Sequence, residues 1–184
     1  MLKTQSKFFY EHKDILTEKE FLTEAETGDI LLFYTDHFSA KLQRFFTNSD
    51  FDHIAMVVKL RNKDLMVFES NQMHGVSVYD WKQNISYFDL YGKVTLRKLQ
   101  YVRKAEAQAS LLKFVKKNLG KKYEISALKL LKFESDFNWE AVNEDRGYFC
   151  SELIGKALKS IGLLDEKKSS GRYWPVDFAE ESGM

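Results

Sequence analysis

Cysteine and proline are nearly missing from this chain, with one of each among 184 residues. A single thiol excludes an intramolecular disulfide and a cysteine-rich zinc site. The four histidines are scattered without metal-ligand spacing, so neither a metal nor another cofactor is expected. A lone cysteine also fits a reducing compartment. Charge of one sign is lacking too. Lys and Arg total 28 against 27 Asp and Glu, and a formal charge of +1 gives no general reason to expect nucleic acid or an anionic membrane as partner. No apolar run reaches the roughly 18 residues that a transmembrane helix needs. The opening MLKTQSKFFYEHKD carries charges throughout and lacks the apolar core and small-residue cleavage site of a secretory signal, so a soluble cytoplasmic protein is expected. With Pro175 the only proline, and with no Gly/Ser-rich stretch or internal repeat, no interdomain linker is expected in mid-chain.

What is present is a hydrophobic content of 44%, including 15% aromatics, enough to bury a substantial core in one domain. Residues 5 to 25 mix Phe8, Phe9, Ile15, Leu16, Phe21 and Leu22 with charges, the pattern of one or two short amphipathic helices. Gly28-Asp29 opens a strand over 30–34, and 38–46 returns to helical spacing. The stretch 51–60 is almost continuously apolar, which suits a strand covered on both faces. After the turn at Arg61-Asn62-Lys63-Asp64, strands are expected at 65–70, 75–79 and 93–99, so the middle of the chain reads as an antiparallel sheet. From Ala105 the period becomes helical, with Leu111, Leu112, Val115 and Leu119 in step and Gly120 at the stop. Residues 124–133 read as a further helical turn or two. Leu153, Ile154, Ala157, Leu158 and Ile161 form one stripe of a last helix ended by Gly162, which puts Cys150 in its first turn.

A lone cysteine is ordinarily a small buried hydrophobe. At a helix start, however, the unpaired amide donors and the helix dipole stabilise a thiolate and can hold an oxyanion. His53 lies on one expected strand and Glu69 on the next. If residues 61–63 form a three-residue loop, 60 pairs with 64, 55 faces 69, and His53 lies diagonally across from Glu69 on one face, where the carboxylate can orient the imidazole. A two-residue loop would put the two side chains on opposite faces. A thiolate at a helix start, an imidazole and a group orienting it are what nucleophilic acyl transfer requires.

The segments GDILLFY, FDHIAMVV, VFES followed by GVSVYDW, LGKKYE and YFCSELIGKAL occur here in a telling order. With them the chain resembles, from about 27 to 163, the circularly permuted branch of the NlpC-type papain-like superfamily. This branch comprises the YiiX-like amidases and is related to a poxviral protein and the lecithin retinol acyltransferase group. The resemblance implies an α+β fold in which an antiparallel sheet or barrel packs against helices, with the nucleophile at a helix N-terminus. It places the nucleophile on Cys150, the general base and acid on His53, and the carboxylate that orients His53 on Glu69. A helical extension over 1–26 preceding a catalytic domain over 27–184 is the expected organisation.

The implied activity is a thiol-dependent amidase or peptidase working through a thioester on a small amide- or ester-bearing substrate, a peptide or a lipid. An acyltransferase or lipase acting on a lipid ester is the alternative, and an inactive binding module of the same fold a second one. The Cys150 amide is the expected first oxyanion donor, and the sequence names no second. Glu152 is read as a dipole-stabilising carboxylate, Gly28 and Asp29 as a turn, and Ser39, Gln43, Thr47 and Ser49 as polar helix-face residues near the histidine strand. His37 and His74 are read as surface residues. Tyr173, Trp174 and Pro175 read as a packed C-terminal segment, and Asp165 to Gly171 as a solvated loop.

Overall fold

The computed structural model describes residues 10–13, 18–36, 41, 44, 49–84, 93–124 and 147–179. Among the described residues, six strands and three α-helices follow one another: β1 (Tyr10–Lys13), α1 (Glu18–Glu24), β2 (Ile30–Tyr34), β3 (His53–Lys59), β4 (Leu65–Asn71), β5 (Gly75–Asp80), β6 (Lys93–Leu99), α2 (Ala105–Asn118) and α3 (Cys150–Lys159). Two short 3-10 turns, Ser170–Arg172 and Pro175–Phe178, come after α3. The strands form one sheet in the order β1-β6-β2-β3-β4-β5. The pairs β1·β6, β6·β2, β2·β3 and β3·β4 are antiparallel. The α+β class and the antiparallel sheet expected from the sequence are therefore present.

The described residues divide into two compact units, one holding those of 10–68, 79–102 and 174–179, the other 69–78 and 103–173. In the first unit, side-chain alternation along the strands puts Leu31, Phe33, Ala55, Val57, Leu65, Val67 and Leu96 into one cluster with Phe21 and Ala25 from the α1 segment and with Trp81. The Phe21 and Trp81 rings stand 4.4 Å apart. Each such large apolar side chain contributes about 1.5–3 kcal/mol on burial. Ile30, Leu32, Ile54, Met56 and Val58, which alternate with these residues, are buried as well, the reason 51–60 reads as a nearly unbroken apolar run.

The Gly28-Asp29 turn fastens this unit. Gly28 has φ +95°, and its amide donates to Val57 O at 2.9 Å. The buried Asp29 carboxylate accepts from Glu26 N at 2.9 Å and from Leu99 N at 2.8 Å, tying the end of α1 to β6. Between β3 and β4, Lys59 pairs with Leu65 and Leu60 N donates to Asp64 O at 2.9 Å, the register with the three-residue loop 61–63. Lys63 takes the left-handed conformation (φ 70°) that closes such a loop.

Three expectations are corrected. Residues 10–13, inside the segment read as helical, form strand β1 paired with β6 from Tyr10↔Leu99 to Lys13↔Leu96, whereas α1 fulfils the helical part. On α2 the buried stripe is Leu111, Val115 and Asn118, leaving Leu112 and Leu119 exposed. Asn118 can turn inward because its side-chain amide donates to Phe114 O at 2.8 Å. The segment 165–171 is held, and not simply solvated. The buried Lys159 ammonium donates to the carbonyls of Glu166 (3.4 Å) and Lys168, and Ser170 is fully buried. Of the helix expected over 38–46 only Lys41 and Arg44 are described, both helical, and the helical reading of 124–133 lies outside the described residues apart from residue 124.

Candidate active site

Cys150 is the first residue of α3, and Phe149 before it is extended (φ −73°, ψ 153°) with its carbonyl accepting from Leu153 N at 3.0 Å. The Cys150 amide is thus one of the four that a helix N-terminus leaves without an intrahelical acceptor. The helix start is anchored in its own unit. Ser151 Oγ donates to Tyr173 O, and the Tyr173 ring lies so close to Gly155 that a Cβ there would meet it at 2.7 Å. Cys150, Ser151 and Glu152 are all essentially buried.

Residues 147–149, leading into the helix, run beside 122–124. Tyr148 N donates to Lys122 O at 2.9 Å, Glu124 N to Tyr148 O at 3.4 Å, and Gly147 N to the Glu124 carboxylate at 2.9 Å. A Cβ at Gly147 would sit 2.2 Å from Lys122 O, so the approach admits only glycine. Ser70 Oγ fixes the same strip by donating to Tyr148 O at 2.6 Å. This pairing delivers Tyr123 to the nucleophile. Its ring packs on Phe149 (centroids 5.8 Å apart), and its hydroxyl is hydrogen-bonded to the Gln72 side chain. Burial foremost, and then the neighbouring Cys150, push the Tyr123 phenol well above its ordinary pKa of 10.0, with Gln72 opposing the shift.

Glu69 lies in β4 in the same unit as Cys150 and is fully buried. Its Oε1 accepts from Asn71 Nδ2 at 2.7 Å. His53 belongs to the other unit, where it opens β3 opposite Phe33, with the two rings 5.4 Å apart. The residue before it, Asp52, is the centre of a buried polar knot. Its carboxylate accepts from Thr35 N (2.8 Å), Thr35 Oγ1 (2.6 Å) and Arg44 Nη1 (2.5 Å). Arg44 also donates to Thr35 O at 2.6 Å and stacks over the Tyr34 ring at 4.0 Å. With Asp52 N donating to Phe33 O at 3.0 Å, the entry into β3 is held on both sides of the chain.

The remaining sequence candidates fall into place as follows. Gly28 and Asp29 form the structural turn described above. Glu152 is buried in the first turn of α3. Ser49 closes a local turn through Oγ to Phe51 O (2.8 Å) and Phe51 N (2.9 Å). Ser39, Gln43, Thr47 and His37 lie outside the described residues, and His74 is exposed. Tyr173 is core, and Trp174 leads into the last 3-10 turn with its amide bonded to Asp177 Oδ2 at 2.8 Å. Sequence reasoning passed over Tyr123, Asn71, Gln72 and the Arg44–Asp52 pair. Tyr123 stands in the LGKKYE segment and Asp52 directly before His53, so both were in view, but their partners are remote in sequence.

Comparison with known proteins matches residues 24–172 to the family described as permuted papain-like amidase enzyme, YaeF/YiiX, C92 family. The uncharacterized protein YiiX of Escherichia coli K12 is 30% identical over 140 residues, which cover 76% of this chain and 60% of that protein. This chain thus spans less than two thirds of that relative's length. A crystal structure titled metalloprotein YiiX, from Escherichia coli O157:H7, superposes with a TM-score of 0.57 at 29% identity, covering 77% of this chain and 68% of that one. Among the described residues here, no group of three or more His, Cys, Asp or Glu side chains could hold a metal ion. No helix of the described residues is long and apolar enough to cross a membrane.

Proposed function

The chain belongs to the permuted papain-like amidase family, and from that membership we propose that it is a cysteine amidase or peptidase with Cys150 as nucleophile, His53 as general base and acid, and Glu69 as the carboxylate that orients His53. The observation that carries the reading is the setting of the only cysteine: the first residue of a buried, anchored helix start, with a tyrosine hydroxyl beside it. The β3–β4 register adds support. Lys59↔Leu65 and Met56↔Phe68 give odd-numbered residues of both strands a shared face, the parity that the His53–Glu69 partnership requires.

In the reaction His53 takes the proton of the Cys150 thiol, Sγ attacks the carbonyl carbon of the amide, and the carbonyl oxygen takes up the negative charge. The Cys150 amide and the Tyr123 hydroxyl are the two donors to that oxyanion. Tyr123 suits the task because its hydroxyl lies beside Cys150 and, as a phenol, carries a hydrogen to donate throughout the neutral range. As the C–N bond breaks, His53 passes its proton to the leaving amine and an acyl thioester remains on Cys150. Water then gives a proton to His53 and adds to the thioester. The thiolate leaves, and the acyl group departs as a carboxylic acid.

The test is incubation with dipeptide p-nitroanilides and with a long-chain p-nitrophenyl ester, followed by mass analysis of Cys150. A thioester from the amide donors that disappears in His53→Ala and is resolved by water is the expected result. Acyl adducts from the ester alone, passed on to an added amine, would replace the amidase by an acyltransferase. No adduct from any donor would leave a binding module and sink the proposal.

A further inference from the structure

We infer that the β4–β5 turn, Asn71 to His74, is a positioning element that sets the Glu69 carboxylate through Asn71 and the Tyr123 hydroxyl through Gln72. The inference rests on the proposed function, since it takes Cys150 as the nucleophile. All the groups concerned lie in one unit.

Asn71 works with both ends of its amide. Nδ2 donates to Glu69 Oε1 at 2.7 Å, while Oδ1 accepts from Met73 N (3.0 Å) and His74 N (2.8 Å), so the side chain that closes the turn also holds the carboxylate. Residues 69 and 71 are two apart on a strand and share a face, which makes the contact a direct product of the extended backbone. Glu69 is fully buried, and a buried carboxylate takes the orientation that its donors impose. The next residue, Gln72, reaches the Tyr123 hydroxyl. An amide N–H donated to the phenol oxygen leaves the phenol's own hydrogen for the thiolate or the oxyanion.

The rest of the neighbourhood prevents these contacts from drifting. Val76 N donates to Lys121 O at 2.7 Å and Gly120 N to Val76 O at 2.8 Å, which binds the start of β5 to the segment that carries Tyr123. Ser70 Oγ to Tyr148 O binds the end of β4 to the entry of α3. The tip itself is in water: Gln72 and His74 are exposed, and Met73 is 77% exposed. Gln72 therefore adds little to the core, and its hydrogen bond serves Tyr123.

The experiment measures acylation of Cys150 in the full chain by p-nitrophenyl acetate, as the burst of nitrophenolate confirmed by mass, with thermal melts to verify folding. Gln72→Leu is expected to slow the burst about fivefold to tenfold, the worth of one hydrogen bond, at unchanged KM. In a Tyr123→Phe background the same change should have no further effect. Asn71→Asp, which removes the donor and sets a like charge beside Glu69, should slow the burst in the wild type and have little further effect beside Glu69→Gln. The crossed pair, Gln72→Leu with Glu69→Gln, should be additive. Equal effects of Gln72→Leu with and without the Tyr123 hydroxyl, or of Asn71→Asp with and without the Glu69 charge, would overturn the turn's role even with acylation intact. No Cys150 adduct in the wild type would overturn the proposed function and the inference with it.

Discussion

The Arg44–Asp52 pair makes a sharp prediction about stability. Its side chains are 9% and 7% exposed, so both charges are largely out of water, and they pair with each other beside Thr35. Asp52→Ala removes the acceptor of the 2.5 Å bond from Arg44 and of both Thr35 donors, leaving a guanidinium buried against Thr35 O and the Tyr34 ring. Breaking a buried pair from one side costs about 3–5 kcal/mol. In a chain of this length that corresponds to a fall in Tm on the order of 10 °C. Arg44→Met should cost less, about 2 kcal/mol, because the Asp52 carboxylate keeps both Thr35 donors. The double variant should be little worse than Asp52→Ala alone, a coupling on the order of 2 kcal/mol in the cycle. Guanidinium unfolding monitored by tryptophan fluorescence measures all four proteins. A loss below about 1 kcal/mol for Asp52→Ala would show that the pair behaves as a solvated surface contact, and the account of how the entry to β3 is held would be wrong.

Other consequences are open to direct measurement. Asp29→Ala strips two backbone amides, Glu26 N and Leu99 N, of a buried acceptor and should destabilise by about 2–4 kcal/mol in the same unfolding assay. Lys63→Gly should stabilise by about 0.5–1 kcal/mol, since a lysine pays for its left-handed φ of 70° and glycine does not; a loss of stability would contradict the turn geometry. Gly155→Ala drives a methyl into the Tyr173 ring and should cost about 1–3 kcal/mol. Tyr123 brings a pH dependence. Its folded pKa lies above the unfolded value of 10.0, so the folded state binds more protons above pH 10, and the contribution is complete below pH 10 and is lost as pH rises beyond it. Stability measured from pH 8 to 11 should therefore fall more steeply in the wild type than in Tyr123→Phe, and parallel curves would refute the shift.

The strands of the sheet were largely readable because their signal is local. Ile30–Tyr34 and Lys93–Leu99 have the expected bounds, and β3, β4 and β5 differ from expectation by no more than two residues at an end. β1 was not readable. Four residues, Tyr10-Glu11-His12-Lys13, are too few to display alternation, and charges suit an edge strand as well as they suit a helix face. Leu112 and Leu119 matched a helical period but lie off the stripe that α2 turns inward, since periodicity gives spacing and leaves the choice of buried face to the packing.

By itself the sequence determined the α+β class, the placement of Cys150 at a helix start, and Gly120 and Gly162 beyond the ends of their helices, because each depends on residues within about one turn of chain. It also identified the family, whose motifs are contiguous segments. Tertiary structure decided the β3–β4 register between two alternatives, through the left-handed turn at Lys63. It also brought Tyr123 to Cys150, Arg44 to Asp52 and Asp29 to Leu99. These partners are 8 to 70 residues apart, and no local pattern records which amide or carboxylate a buried polar group will meet once the chain has closed on itself.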